Sequence, residues 1–233
     1  MSIKTSIILS TYNERLSIEK TIQNLKKDIT NLELVIVDDN SPDGTFEILK
    51  KFEDDNTKVI CRKKSKGLAS AFLCGMLHTT GDLIGWLDSN MGDLSTHFPH
   101  MIKNLKDNDL VLLSRYVQEG SDERNQTRVF SSKFINFICN IFLTRNIKDF
   151  TSSIFIMKKE VLNSVVPICY GHGEFFIEFL YQCYKKEIKI KEIPYTQPND
   201  LEGNSKTAPN IFRFLFLGYF YLVRILQARF RRD

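Results

Sequence analysis

The sequence predicts an α/β fold built on a mostly parallel sheet with helices on both faces. Short apolar runs recur along the chain, each stopped by polar residues, as buried parallel strands are. The segments between them carry apolar residues at helical spacing, and strands that alternate with helices imply this architecture. Residues able to do chemistry come directly after the strands: Tyr12, Asp39, Asp88 and Arg115. In open sheets of this kind, ligands bind beyond the carboxyl ends of the strands.

The elements follow in order. Ser6-Ile7-Ile8-Leu9 is the first strand, and Glu14 to Lys27 is a helix with Leu16, Ile18, Ile22 and Leu25 on one face. Leu34-Val35-Ile36-Val37 is the second strand. Ser41-Pro42-Asp43 then offers a helix cap with proline in the first turn, opening a helix from Thr45 to Phe52. Val59-Ile60-Cys61 is a third strand, Gly67 to His78 a helix of small residues, and Leu83 to Leu87 a fourth strand ending at Asp88. Leu110 to Leu113 is a fifth, ending at Ser114-Arg115. Beyond Asn136 the pattern is less regular, with a strand at Ser153 to Met157, a helix at Glu174 to Lys186 and a strand at Ile188 to Ile193. Residues 1–208 read as one domain, and 209–233 as an appended apolar helix with a basic end.

The 233 residues suffice for one sizeable core, and 42% hydrophobic with 26% charged residues excludes a disordered or fibrous chain. A net charge of +4 gives no argument for nucleic acid. Five cysteines without a C-x-x-C pair give none for zinc, and suit reduced thiols. The sequence opens straight into a strand, so no signal peptide is expected, and Asn125-Gln126-Thr127 is read as a chance sequon.

Several clusters can bind ligands. In the loop from Ser10 to Glu14, Tyr12 can stack on a base and Glu14 can accept from it, although an ordinary helix cap explains the loop as well. Asp38 and Asp39 are costly to bury without partners, which a ribose or a metal-bound diphosphate would supply. In Asp88-Ser89-Asn90, oxygens two residues apart can share a hard cation, or serve as a cap. Arg115 at a strand end and Arg128 before a helix can fork onto phosphate, or lie on a solvated surface. Gly203-Asn204-Ser205-Lys206 is a loop with one cation.

In this order the pieces resemble the family 2 glycosyltransferases, the dolichol-phosphate mannose synthase branch in particular. The family's P-T-Y-N-E loop is here Ser10-Thr11-Tyr12-Asn13-Glu14, and its D-D-x-S-P-D-G-T segment is matched in full by Asp38 to Thr45. K-G-L-x-x-A is Lys66 to Ala71, G-D is Gly81-Asp82, and S-R-Y is Ser114-Arg115-Tyr116. R-x-x-x-S-x-x-x-N is Arg128, Ser132 and Asn136; D-x-T-S is Asp149 to Ser152; E-x-P is Glu192 to Pro194; G-x-S-K is Gly203 to Lys206. The D-A-D metal motif departs, reading Asp88-Ser89-Asn90 with an insertion after it in which Asp93 can compensate. The arginine before G-x-S-K is Asp200.

The resemblance implies a GT-A fold and inverting transfer of a sugar, mannose foremost, from a nucleotide sugar (GDP-mannose foremost) to a polyprenyl or dolichyl phosphate. The alternatives are another hexose on a lipid or glycan, and a degenerate relative that binds without turnover. It implies Mg2+ or Mn2+ on Asp88 and Asn90. Donor contacts fall on Ser10, Tyr12, Glu14, Val37, Asp39, Asp88, Ser89, Asn90, Arg115 and Lys206, and the acceptor anion falls to Arg115 and Arg128. Asp88, Arg115 and Arg128 are the expected catalytic residues. A phosphate acceptor is already ionised and needs no general base; for an alcohol acceptor, His172 and Glu178 are the candidates.

The run Phe214 to Val223, flanked by Arg213 and Arg224, is too short to span a bilayer. It is expected to lie on a membrane surface with its arginines near lipid phosphates, or else to fold back on the core. This places the protein peripherally on the cytoplasmic side of a membrane, the alternative being the cytoplasm.

Overall fold

The structure is a computed structural model and describes residues 3–168, 170–199 and 211–231, with the side chains of 211–217 left out. A seven-stranded sheet runs β3 (Thr57–Cys61), β2 (Leu32–Asp38), β1 (Thr5–Thr11), β4 (Leu83–Trp86), β7 (Phe155–Lys158), β5 (Leu110–Ser114), β8 (Ile190–Pro194). Every ladder is parallel except those of β7, which lies antiparallel between β4 and β5. A small ladder joins β6 (Ser121–Asp122) to β9 (Thr196–Gln197). The helices are α1 (Ile18–Asp28), α2 (Thr45–Lys50), α3 (Leu68–Met76), α4 (Phe98–Asn104), α5 (Gln126–Phe142), α6 (Phe175–Lys185) and α7 (Ile211–Phe230).

All five strands read before residue 115 are present. α1 begins later than expected: Asn13 takes a left-handed φ of 60°, and a helical bond from the Ile18 N–H to the Glu14 carbonyl opens the helix. Arg128 lies inside the first turn of α5 rather than before it; Asn125 caps that turn by accepting from the Arg128 N–H at 3.0 Å.

Strand alternation divides the core. Ile8, Ile84, Trp86, Leu112 and Phe155 face a cluster with α3, α6 and α7, while Ile7, Leu9, Ile36, Val111 and Ile156 face α1, α2 and α4. Phe72 of α3 meets Trp86 edge-on at 4.7 Å.

The tail corrects one expectation. α7 packs on α6 through Ile225 and Ala228, both fully buried, and Arg224 is buried with them. Arg224 Nη1 donates to Glu178 Oε2 at 3.0 Å, and Arg231 Nη1 to Glu178 Oε1 at 2.6 Å. A carboxylate inside α6 therefore draws the arginine inward, away from any lipid phosphate, and Glu178 is spent as an ion-pair partner rather than a base.

Glu33 fastens the end of the sheet opposite the ligand side. Burial by itself would raise its carboxyl, but the Ser6 hydroxyl, the Thr80 N–H and hydroxyl and Lys4 Nζ bring it down from 4.5 to about 2. That difference is worth about 3 kcal/mol at most, present above pH 4.5 and lost as the pH falls from there through about 2. Urea titrations across this range should show a steep acid limb for the wild type. The limb should flatten in Glu33→Gln.

Candidate functional site

The site is built at the carboxyl ends of β1, β2 and β4. Thr11 pairs with Asp38, so the loops leaving β1 and β2 start side by side. Asp38 is satisfied within the chain: it accepts from Thr11 Oγ1 at 2.9 Å, the Ser41 N–H at 2.9 Å and Ser41 Oγ at 2.6 Å. Ser41 Oγ, Thr45 Oγ1 and Asp43 Oδ2 in turn accept from the N–H groups of Asn13, Glu14 and Arg15. The second loop thus holds the first, which explains why both patterns occur together.

Asp39 is paired within the protein, contrary to the expectation that a ligand supplies its partner. Arg62 Nε donates to Asp39 Oδ1 at 2.7 Å and the Gly67 N–H to Oδ2 at 2.8 Å. Arg62 also donates to Ser70 Oγ and the Gly67 carbonyl, tying the end of β3 to the start of α3. Gly67 sits at φ +128°, where a Cβ is strained. Sequence reading missed Arg62. Its signal is that acids buried at the end of β2 call for a cation at the end of a neighbouring strand.

Tyr12 is 45% exposed, with Lys66 Nζ 4.5 Å from its ring centre. Ser10 Oγ is buried with no hydrogen-bond partner, a polar atom that a ligand can satisfy. Val37 is fully buried in β2, one residue before Asp38.

Asp88 differs from the other acids. Burial pushes its carboxyl up, opposed only by Trp86 Nε1 at 3.3 Å, Ser153 Oγ at 3.2 Å and the field of His172. Among the described residues no lysine or arginine pairs with it. The buried Ser89 anchors the turn, its carbonyl accepting from Thr21 Oγ1 at 2.7 Å, and Asn90 is exposed. Asp93 is exposed and bonds Lys20 and Asn24 of α1. Among the described residues no three His, Cys, Asp or Glu side chains gather as a metal cage. A half-buried carboxylate with no lysine or arginine paired to it among the described residues, beside an exposed amide, nevertheless fits a hard dication that keeps most of its oxygen ligands from water and diphosphate.

The arginines lie beyond β5. Arg115 is 3% exposed; its Nε and Nη2 fork onto Asp149 at 2.8 and 2.7 Å, and Nη2 also reaches Thr151. Burial would lower its pKa, but Asp149 more than offsets this and holds it above the ordinary value. Only Nη1, 3.6 Å from Asp122, is left of the phosphate fork that the sequence suggested. Arg124 also forks onto Asp122, at 2.8 and 2.7 Å. Arg128 is half-buried, and burial followed by the field of Arg124 lowers its pKa. Ser132 and Asn136 of α5 bond Thr151, and the Glu192 carboxylate accepts from the Lys148 and Asp149 N–H groups. These motif residues hold Thr151 and Asp149, the partners of Arg115. Asp200 and Lys206 lie outside the described residues.

The chain matches the family model "Glycosyl transferase family 2" over residues 6–166. It is 33% identical over 221 residues to a dolichol-phosphate mannosyltransferase of Pyrococcus furiosus, covering 91% of this chain but only 62% of that protein. It is 27% identical to a dolichol-phosphate mannosyltransferase of Saccharomyces cerevisiae, covering 91% and 84%, and 26% identical to an undecaprenyl-phosphate mannosyltransferase of Micrococcus luteus, covering 88% and 87%. Among solved structures, glucosyl-3-phosphoglycerate synthase of Mycobacterium tuberculosis with Mn2+, UDP and glucosyl-3-phosphoglycerate superposes with a TM-score of 0.75. It covers 100% of this chain and 82% of that one at 16% identity, a likeness of fold alone, and the fold is GT-A.

The Arg115–Asp149 pair generates a prediction. Asp149→Ala leaves a buried guanidinium without its principal counter-charge and should cost about 3–5 kcal/mol in urea unfolding.

Proposed function

The chain belongs to glycosyl transferase family 2, and from that premise we propose that it transfers a hexose, mannose foremost, from a nucleotide sugar to a polyprenyl phosphate with inversion. The observation that carries this reading is the placing of Asp88 at the end of β4 and a cluster of arginines beyond β5. The similarity to two dolichol-phosphate mannosyltransferases and one undecaprenyl-phosphate mannosyltransferase supports the choice of acceptor and sugar.

In this reading Tyr12 and the loop after β2 receive the nucleoside, with Asp39 held in place by Arg62. Asp88 and Asn90 hold Mg2+ or Mn2+; when bound, the cation neutralises charge on the diphosphate leaving group. Arg128, in the field of Arg124, attracts the acceptor phosphate. A phosphate oxygen forms the new bond to the anomeric carbon as the bond to the diphosphate breaks. That oxygen is already ionised, so no proton has to be removed. The loss of Glu178 to its ion pairs agrees with a reaction that needs no base.

We further propose that the chain meets its acceptor on the cytoplasmic surface of a membrane. Among the described residues no helix is long and apolar enough to cross one. Exposed Phe130, Phe134, Phe137 and Ile141 recur along α5, and Tyr219, Leu222, Leu226 and Phe230 along the neighbouring α7. Apolar faces of this kind suit the headgroup boundary.

Two measurements test these readings. Radiolabelled transfer from GDP-mannose to a short polyprenyl phosphate with Mn2+ should give product, and both EDTA and Asp88→Asn should reduce it at least about 100-fold, a loss of order 3 kcal/mol in transition-state stabilisation. Nucleotide binding without product from any of a panel of sugars would favour the degenerate relative that Asn90 suggests. In flotation on anionic liposomes the wild type should rise with the vesicles, whereas Phe134→Glu with Phe137→Glu should stay below. Equal flotation would rule out α5 as the docking face.

A further inference from the structure

Lys66 closes the loop that joins β3 to α3, and its main chain is pinned through Gly67. The Gly67 N–H donates to Asp39 Oδ2 at 2.8 Å. The Gly67 carbonyl accepts from Arg62 Nη2 and from Ser70 Oγ, each at 3.0 Å. The backbone at this point is therefore tied to the ends of β2 and β3, and the Lys66 side chain is exposed. That side chain crosses to the loop after β1. Its Nζ stands 4.5 Å from the centre of the Tyr12 ring and 3.4 Å from Tyr12 Oη.

An ammonium over an exposed phenol ring is held weakly by the negative face of the ring. A nucleobase stacks on the same face, and stacking is the stronger of the two contacts. With Nζ 4.5 Å from the ring centre, base and ammonium cannot share that face. A base that takes the ring must move the ammonium. The pinned main chain limits the movement to the side chain, so the ammonium stays at the rim of the ring, where the edge of a stacked base lies. An ammonium has three donors and no acceptor. It can meet an exocyclic carbonyl there, but not an exocyclic amino group. Guanine and uracil carry the carbonyl at the position where adenine and cytosine carry the amino group.

We propose that a base stacking on Tyr12 displaces Lys66 from the ring, and that Lys66 Nζ then donates to the exocyclic carbonyl of that base. Lys66 thereby selects guanine or uracil over adenine or cytosine. The proposal rests on the glycosyltransferase reading, in which Tyr12 receives the nucleoside. It concerns the choice of base and not the presence of a nucleotide, so the two can fail separately.

The test is calorimetry in Mn2+ on the full chain with GDP, UDP, ADP and CDP, comparing the wild type with Lys66→Met. Methionine keeps an unbranched stem without the charge, and at an exposed position it should leave the melting temperature unchanged. The wild type should bind GDP more tightly than ADP, or UDP more tightly than CDP. In Lys66→Met that preference should fall about 10-fold, the loss expected for one hydrogen bond from a charged donor, because the carbonyl base weakens and the amino base does not. An undiminished preference would overturn the proposal. An equal loss for all four probes would overturn it too, since the ammonium would then serve the diphosphate. A wild type that binds ADP or CDP best would do the same. Each of these results leaves the glycosyltransferase reading standing. A wild type that binds none of the four would overturn that reading and this proposal with it.

Discussion

Burying a carboxylate costs several kcal/mol unless a cation or a set of donors comes with it. Three buried acids and the half-buried Asp88 lie at the carboxyl end of this sheet, and each meets the constraint differently. Asp38 is satisfied by hydroxyls and an amide of its own turn. Asp39 takes Arg62 and Asp149 takes Arg115. Asp88 has two long hydrogen bonds and no ion pair among the described residues. The first three arrangements fasten the loops that leave the strand ends. The fourth leaves a charge deficit at the point where the proposed cation and diphosphate would meet it.

The same constraint explains what could be read from the sequence. The first five strands were legible because a buried parallel strand is apolar on both faces, so Leu34 to Val37 announces itself as a run. The antiparallel insertion of β7 was not legible, since direction within a sheet is fixed by tertiary pairing that no local pattern encodes. The binding loops were legible as sets of polar residues after strands, but their division of labour was not. Arg115 read as a ligand-side phosphate fork because Asp149, 34 residues away, could not be seen to claim it. Arg62 went unread for the same reason, standing outside any motif.

One arginine of the tail, Arg224, was misread. Tyr221, Ile225 and Ala228 fall on one face at helical spacing, and that stripe was present in the sequence. Arg224 interrupts it, and a cation in an apolar run reads as a solvent or headgroup group. Glu178, buried in α6, reverses that reading by giving the guanidinium an interior partner. The ion pair and the buried Ile225 and Ala228 lie on the same face of α7, with Tyr219, Leu222, Leu226 and Phe230 exposed.

If Asp88 is the charge left for a ligand, cation and nucleotide must stabilise the chain together. Thermal unfolding with Mn2+ alone, nucleoside diphosphate alone and both at once measures this directly. The account predicts that both together raise the melting temperature well beyond the sum of the separate shifts. It also predicts that Asp88→Asn removes this excess while keeping the response to nucleotide alone. Strictly additive shifts in the wild type, or an undiminished excess in Asp88→Asn, would contradict it.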